Sequence, residues 1–217
     1  MRLMERYGIQ KAVTLSIQGD HRLNQTVTRF QKQYPQHFVA FVAPTARELC
    51  DRHAMDSLVE GSGCKGIGEI YLAGSTEEPP SSNMAMLMET AEQHRLAVLF
   101  HTGNLPNSTP LAVGTLAAEY GKVPIILGHM GKNLFARDAI EAARKFRNIY
   151  LETSGMPYPR IIEEALGRVG ADRVLFGSDY PYWHPAVELK RIEVLNLLKE
   201  EKRLILGANI AKVLQLE

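Results

Sequence analysis

Four apolar runs of the sequence end on or carry side chains that can bind a metal ion or move a proton. They are Glu69 in KGIGEIYL (65–72), His101 in LAVLFH (96–101), His129 in VPIILGH (123–129) and Asp179 in RVLFGSD (173–179). Imidazole and carboxylate groups are ligands for zinc, and also for manganese, iron or nickel. A single histidine or aspartate at a strand end is more often structural, but four at corresponding positions of a repeat predict one shared site.

The elements that must position these side chains follow from the hydrophobic pattern. Three further runs of the same non-alternating kind are KAVTLSI (11–17), FVAFVAP (38–44) and IYLETS (149–154). Such runs are typical of parallel strands that are covered on both faces. Amphipathic patterns separate them and predict helices, one of which starts at Pro110.

Seven strand–helix units in succession predict an α/β fold, a TIM-type (β/α) barrel rather than a doubly wound sheet. The glycine-rich GSGCKGIG (61–68) precedes its strand, so it does not fit a phosphate-binding loop. In a barrel the carboxyl ends of the strands meet at one rim, and there we expect the four side chains to converge. We expect residues 1–217 to form a single domain.

A TIM barrel has eight strands, and this chain opens instead on a short helix, LMERYG. We therefore expect the first strand to be missing or to be supplied in another way. The runs at 11–17 and 173–179 would then each lack a neighbour and expose unpaired backbone groups, which predicts a homo-oligomer.

Composition and charge narrow the possible partners. The chain has 217 residues, a formal net charge of +1, 45% hydrophobic and 23% charged residues, and two cysteines. No basic block supports nucleic-acid or membrane-surface binding, and no apolar run approaches the length of a membrane span. Cys50 and Cys64 form no disulfide framework, and the N-terminus lacks the apolar core of a signal peptide. We expect a cytoplasmic protein with a small-molecule substrate.

Six segments together resemble a known family. GCKGIGEIYL, VLFHTG, IILGHMG, IYLETSG, VLFGSDYPY and ILGANIAKVL occur in the order found in the amidohydrolase superfamily. The resemblance covers nearly the whole chain. It is to the amidohydrolase-related branch, which includes metal-dependent hydrolases and enzymes of the aminocarboxymuconate-semialdehyde decarboxylase type.

The resemblance implies a role for each strand-end residue. His101 would be a metal ligand, and His129 a second ligand or a catalytic histidine. Asp179 would be a ligand and the proton acceptor, and Glu69 lies where relatives carry a Lys or Glu ligand. The H-x-H pair that supplies two further ligands in the family is absent from this sequence.

These residues predict a metal-dependent hydrolase of C–N or C–O bonds that uses water activated by a divalent metal, with zinc as the expected ion. Two alternatives stay open: a metal-dependent decarboxylase of the same family, and a non-catalytic barrel. Tyr180, Trp183 and His184 follow Asp179 and are candidate substrate-binding residues. We interpret ETS (152–154) as a polar exit from its strand, with substrate contact as the alternative.

Overall fold

The structure is a computed structural model that describes residues 1–17, 19–72, 81–103 and 109–216. The chain folds into two compact units, Met1–Phe100 and His101–Glu217. Within the described residues no helix is both long enough and apolar enough to cross a lipid bilayer.

The first unit is built on parallel strands that pair in chain order. The strands are β1 (Ala12–Leu15), β2 (Phe38–Val42), β3 (Gly66–Ile70) and β4 (Ala97–His101), the last of which ends on the first residue of the second unit. The helices are α1 (Arg2–Arg6), α2 (His21–Gln33), α3 (Arg52–Ser62) and α4 (Ser81–Gln93).

Burial in the first unit explains why these strands read as continuous apolar runs. Every residue of β3 and β4 is buried, as are the last four of β2. All four residues of β1 are half-buried. A strand covered on both faces has no polar side to alternate with its apolar one, so the hydrophobic run is unbroken.

The second unit contains three more parallel strands, again paired in chain order. They are β5 (Ile125–Gly128), β6 (Ile149–Glu152) and β7 (Val174–Leu175). The helices are α5 (Pro110–Glu119), α6 (Lys132–Lys145), α7 (Pro159–Val169), α8 (Pro185–Glu193), α9 (Lys199–Arg203) and α10 (Asn209–Val213). The helix start predicted at Pro110 is confirmed, with Thr109 as its N-cap.

A buried cation joins two helices of this unit to its last strand. Arg173 precedes β7 and is only 5% exposed. Its guanidinium donates to the carbonyl oxygens of Ala143 and Phe146 at 2.6 and 3.2 Å, and also to that of Val169. These acceptors lie at the C-terminal ends of α6 and α7, where helix carbonyls lack intrahelical partners and carry partial negative charge.

The prediction of seven parallel strands is confirmed for the described residues, but the last strand is shorter than expected. We predicted that it runs to Asp179, and this is wrong, because β7 ends at Leu175. The Phe176 N–H donates to the carbonyl of Ile205 rather than to β6, so the backbone leaves the ladder at that residue.

Candidate metal centre

Two of the predicted metal ligands meet in the second unit. His101 is the last residue of β4, and His129 directly follows β5. Their ring centroids lie 4.8 Å apart with the ring planes inclined at 71°. The side chains are 7% and 4% exposed. Neighbouring parallel strands therefore deliver two buried imidazoles to one place.

The orientation of the His129 ring is fixed by Ser154, two residues beyond β6. The Nδ1 atom lies 2.9 Å from Ser154 Oγ and 3.1 Å from its carbonyl oxygen. A carbonyl can only accept, so this contact requires the proton on Nδ1, and in a neutral ring Nε2 then carries the lone pair. Metal-binding histidines are usually held in this way, by a hydrogen bond from the ring nitrogen that does not face the metal.

The carboxylate of Glu152 in turn positions both residues. Its Oε1 accepts the Ser154 N–H at 2.7 Å, and its Oε2 accepts the Ser154 hydroxyl at 2.8 Å and the His129 N–H at 2.9 Å. We interpreted this segment as a polar exit from its strand, with substrate contact as the alternative. These three bonds give Glu152 and Ser154 a structural role at that exit, and substrate contact stays a prediction. The signal present in the sequence was a carboxylate and a hydroxyl two residues apart at the end of the strand that follows the His129 strand.

The backbone that carries His129 is strained. The φ angles of His129, Met130, Gly131 and Lys132 are 62°, 38°, 82° and 43°. Non-glycine residues in such conformations cost on the order of 1–3 kcal/mol each and persist only where surrounding contacts hold them. Here Thr102 Oγ1 accepts the Gly131 N–H at 2.9 Å and donates to the carbonyl that precedes His129 at 2.6 Å. Met130 is fully buried.

Glu69 lies in the first unit, inside β3 rather than at its end. Its side chain is 7% exposed, and its Oε2 accepts the Tyr71 hydroxyl at 3.0 Å. In the pairing of β3 with β4, Ile70 is opposite Phe100. Glu69 lies in the stretch between Ile67 and Ile70, where the register of this pairing is irregular.

Asp179 is half-buried and adopts a left-handed conformation with φ 48°. Its carbonyl accepts the N–H groups of Tyr182 and Trp183 at 2.9 and 3.4 Å. Asp179 therefore starts a tight turn four residues beyond β7, and its predicted place at a strand end needs correction.

The three predicted substrate-binding residues occupy this turn and its exit. Tyr180 and Trp183 are 58% and 40% exposed. His184 is the N-cap of α8, and its Nδ1 accepts the Ala186 N–H at 3.2 Å. A structural role thus accounts for part of the His184 side chain, and its contact with a substrate stays a prediction.

Glu188 is a buried carboxylate that the sequence did not single out as a site residue. It is 2% exposed, pairs with Arg191 at 2.5 Å and accepts the Gly155 N–H at 3.2 Å. Burial raises the pKa of the Glu188 carboxyl, and the neighbouring Arg191 and Gly155 N–H oppose that rise. The carboxylate ties α8 to the loop that follows Ser154.

Two buried imidazoles, of which His129 is oriented by Ser154, form a donor set that suits a divalent metal. Imidazole donors together with a carboxylate occur in both zinc and manganese sites, so these residue types do not by themselves identify the ion.

The family of this chain is shown by a match to a protein-family model. The model of the family described as Amidohydrolase matches residues 3–216. The chain belongs to the amidohydrolase family. The resemblance read from the sequence motifs is thereby confirmed. A search among curated proteins gave no match.

Solved structures share the fold of this chain over nearly its full length. 5-Carboxyvanillate decarboxylase LigW from Sphingomonas paucimobilis matches with a TM-score of 0.77 and 15% identity, covering 100% of this chain and 82% of that one. An uncharacterised TIM-barrel protein from Bordetella bronchiseptica matches with a TM-score of 0.80 and 19% identity, covering 99% and 81%. Dihydroxybenzoic acid decarboxylase from Polaromonas sp. JS666, with bound manganese and the inhibitor 2-nitroresorcinol, matches at 0.75 and 18%, covering 99% and 84%. The predicted TIM-type fold class is confirmed.

Proposed function

We propose that this amidohydrolase-family protein is a metal-dependent decarboxylase of a small aromatic carboxylate. The observation that carries the proposal is the buried pair His101 and His129, with the tautomer of His129 set by Ser154 and Glu152. Decarboxylases from Sphingomonas and Polaromonas are among the structures that share the fold. Their activity supports decarboxylation over the hydrolysis that we expected from the sequence.

In this proposal Glu69, His101 and His129, three buried side chains of metal-ligand type, bind one divalent metal. Asp179 is assigned to proton transfer and, as the resemblance implies, to the metal as well. When bound, the metal supplies positive charge that polarises the oxygen atoms of the substrate. Ser154 and Glu152 keep the His129 ring in the orientation and tautomer that this requires.

The chemical step needs one proton and no oxidant. The bond between the ring carbon and the carboxylate carbon breaks, and the carboxylate leaves as CO₂. The electron pair of that bond stays on the ring carbon, which takes a proton from the carboxyl group of Asp179. Solvent then returns a proton to Asp179.

Hydrolysis is the second candidate, and the description of the matched family supports it. The same residues would serve: Asp179 would take the proton from an attacking water and pass it to the leaving group. The two candidates differ in their products, because only decarboxylation releases CO₂.

The experiment is turnover of 2,6-dihydroxybenzoate and 5-carboxyvanillate by protein reconstituted with Mn²⁺ or Zn²⁺, followed as CO₂ release and ring product. We expect turnover that a chelator abolishes. His101→Ala and Asp179→Asn should each reduce it at least about 100-fold, since each removes a group that contacts the reacting centre. His53→Ala is the matched control, because His53 is an exposed histidine on α3; it should leave turnover unchanged.

Three other outcomes would contradict the proposed decarboxylase. Turnover that resists the chelator, or that His101→Ala retains, would overturn the metal-dependent mechanism. Metal-dependent cleavage of amide or ester substrates without release of CO₂ would favour hydrolysis. Failure of the wild type to bind either metal in calorimetry would favour a non-catalytic barrel.

A further inference from the structure

Lys132 lies at the carboxyl ends of three strands of the candidate site. It follows the strained turn after β5, and its Cβ lies against Gly103, two residues beyond His101. Its Cε reaches Gly155, the residue after Ser154 at the end of β6. The side chain thus runs from the end of β4 to the end of β6, on the same side of the strands as both histidines.

Gly155 brings the lysine and the single tryptophan of the chain together. A Cβ placed on Gly155 would lie 3.0 Å from the indole Nε1 of Trp183 and 3.6 Å from Cε of Lys132. A side chain at this point would crowd the indole, whereas its distance to Lys132 is that of an ordinary van der Waals contact. The aliphatic end of Lys132 and the edge of the indole therefore border one small space.

No described carboxylate pairs with the ammonium group of Lys132. Lys132 is half-buried, and within the part of the chain that the structure describes it makes no hydrogen bond or ion pair. Two carboxylates of the same region are bonded to other groups: Glu188 to Arg191 and the Gly155 N–H, and Glu152 to His129 and Ser154. A partly desolvated cation without a partner is unfavourable unless a ligand supplies the missing charge.

The backbone of Lys132 gives a second, independent indication. Its φ and ψ are 43° and −142°, a combination that suits glycine far better than a residue with a side chain. Such strain costs on the order of 1–3 kcal/mol and is concentrated at functional sites. The fold thus retains a lysine at a position where glycine would relieve the backbone.

We infer that Lys132 binds the carboxylate of an aromatic substrate whose ring packs against Trp183. An ammonium group recognises a carboxylate by a charge-assisted hydrogen bond, and an indole offers an apolar face to a planar ring. The guanidinium of Arg191, which is paired with Glu188, lies 5.9 Å from the Trp183 ring centroid. The inference rests on the proposed function for its substrate class, which it narrows to anionic aromatic molecules.

The first test uses Trp183 as the reporter and needs neither metal nor substrate. Iodide should quench the fluorescence of Trp183 more strongly in wild type and in Lys132→Arg than in Lys132→Met, because the cation concentrates iodide at the indole. Acrylamide, which is neutral, should quench all three proteins alike. Lys145→Met is the matched control from the exposed end of α6 and should behave as wild type. Equal iodide quenching in wild type and Lys132→Met would show that the Lys132 ammonium group does not lie near the Trp183 indole, and would overturn the inference.

The second test measures binding of 2,6-dihydroxybenzoate and of resorcinol, its neutral counterpart without the carboxylate, to Mn²⁺-loaded protein. Lys132→Met should weaken binding of the carboxylate about tenfold or more, which corresponds to at least about 1.4 kcal/mol. Resorcinol binding should change less than about twofold, and Lys132→Arg should restore most of the affinity for the carboxylate.

Mn²⁺ affinity, measured separately by calorimetry, should be unchanged in Lys132→Met, so loss of the carboxylate site is distinguishable from loss of the metal site. The inference is overturned if Lys132→Met and wild type bind 2,6-dihydroxybenzoate equally. It is also overturned if wild type binds the carboxylate no more tightly than resorcinol.

Discussion

Replacing Glu152 with glutamine tests whether one carboxylate holds the His129 side of the site together. The substitution keeps the shape of the side chain but turns one acceptor oxygen into an NH₂ donor. Three donors face this carboxylate, at 2.7, 2.8 and 2.9 Å, and glutamine can accept from only one oxygen. Either the Ser154 N–H or the pair formed by the Ser154 hydroxyl and the His129 N–H must therefore face another donor.

The expected cost follows from these three bonds. One donor loses its partner, which costs about 1–3 kcal/mol, and the bonds that remain change from charge-assisted to neutral, which costs roughly 1 kcal/mol more. We therefore expect Glu152→Gln to lower the free energy of unfolding by about 2–4 kcal/mol. In urea this moves the midpoint by about 1 M for a slope near 3 kcal/mol per M.

Urea denaturation measures the change in the free energy of unfolding of the whole chain. Hydrogen exchange of the His129 and Ser154 amides measures the change in local stability at the site. Both amides should lose protection in Glu152→Gln. Glu163→Gln, on the exposed face of α7, is the matched control and should stay within about 0.5 kcal/mol of wild type. If Glu152→Gln is as stable as this control and both amides keep their protection, the three bonds do not organise the site.

Two further substitutions probe the surroundings of the site. Gly103→Ala would put a Cβ 2.7 Å from the carbonyl carbon of Gly131 and 2.7 Å from the Cβ of Lys132, at a φ of 109°. We expect this variant to lower the free energy of unfolding, measured in urea, by about 2 kcal/mol or more. An unchanged urea midpoint would contradict the close approach of these residues. The pKa of Glu188 is raised in the folded protein, so the folded protein binds the Glu188 proton more tightly than the unfolded chain does. This stabilises the folded protein fully below the unfolded pKa of about 4.3, and the stabilisation is lost as the pH rises through the folded pKa. The stability of Glu188→Gln relative to wild type should therefore increase between pH 4 and pH 7 in urea denaturation, whereas a constant difference would show that Glu188 titrates alike in the folded and unfolded chains.

The strands and the histidine pair could be predicted because they depend on local pattern and on one general rule. Apolar runs without alternation indicate strands covered on both faces, and parallel strands present their carboxyl ends at one edge. That rule placed His101 and His129 together, although His129 lies one residue beyond its strand. The predicted homo-oligomer depends on surfaces between chains and stays a prediction.

The remaining features depend on contacts between distant parts of the chain. RVLFGSD reads as one strand to Asp179, but its course after Leu175 is set by the carbonyl of Ile205, which no local pattern indicates. The tetrapeptide HMGK contains only one glycine, so its sequence gives no sign of four successive positive φ angles. Those angles are imposed by bonds from residues outside the tetrapeptide, among them Thr102 and Glu152. For this reason Lys132 was not selected from the sequence as a candidate site residue.

The strained turn after β5 limits how this protein can be made more heat-resistant by directed evolution. At Lys132 the backbone already has the geometry of glycine, so we expect Lys132→Gly to relieve strain and to raise the melting temperature. The same exchange would delete the cation beside Trp183. Libraries that select for thermal stability should therefore keep positions 129–132 constant, or measure activity together with melting temperature. At this turn a stabilising substitution would also remove the cation that we propose binds the substrate.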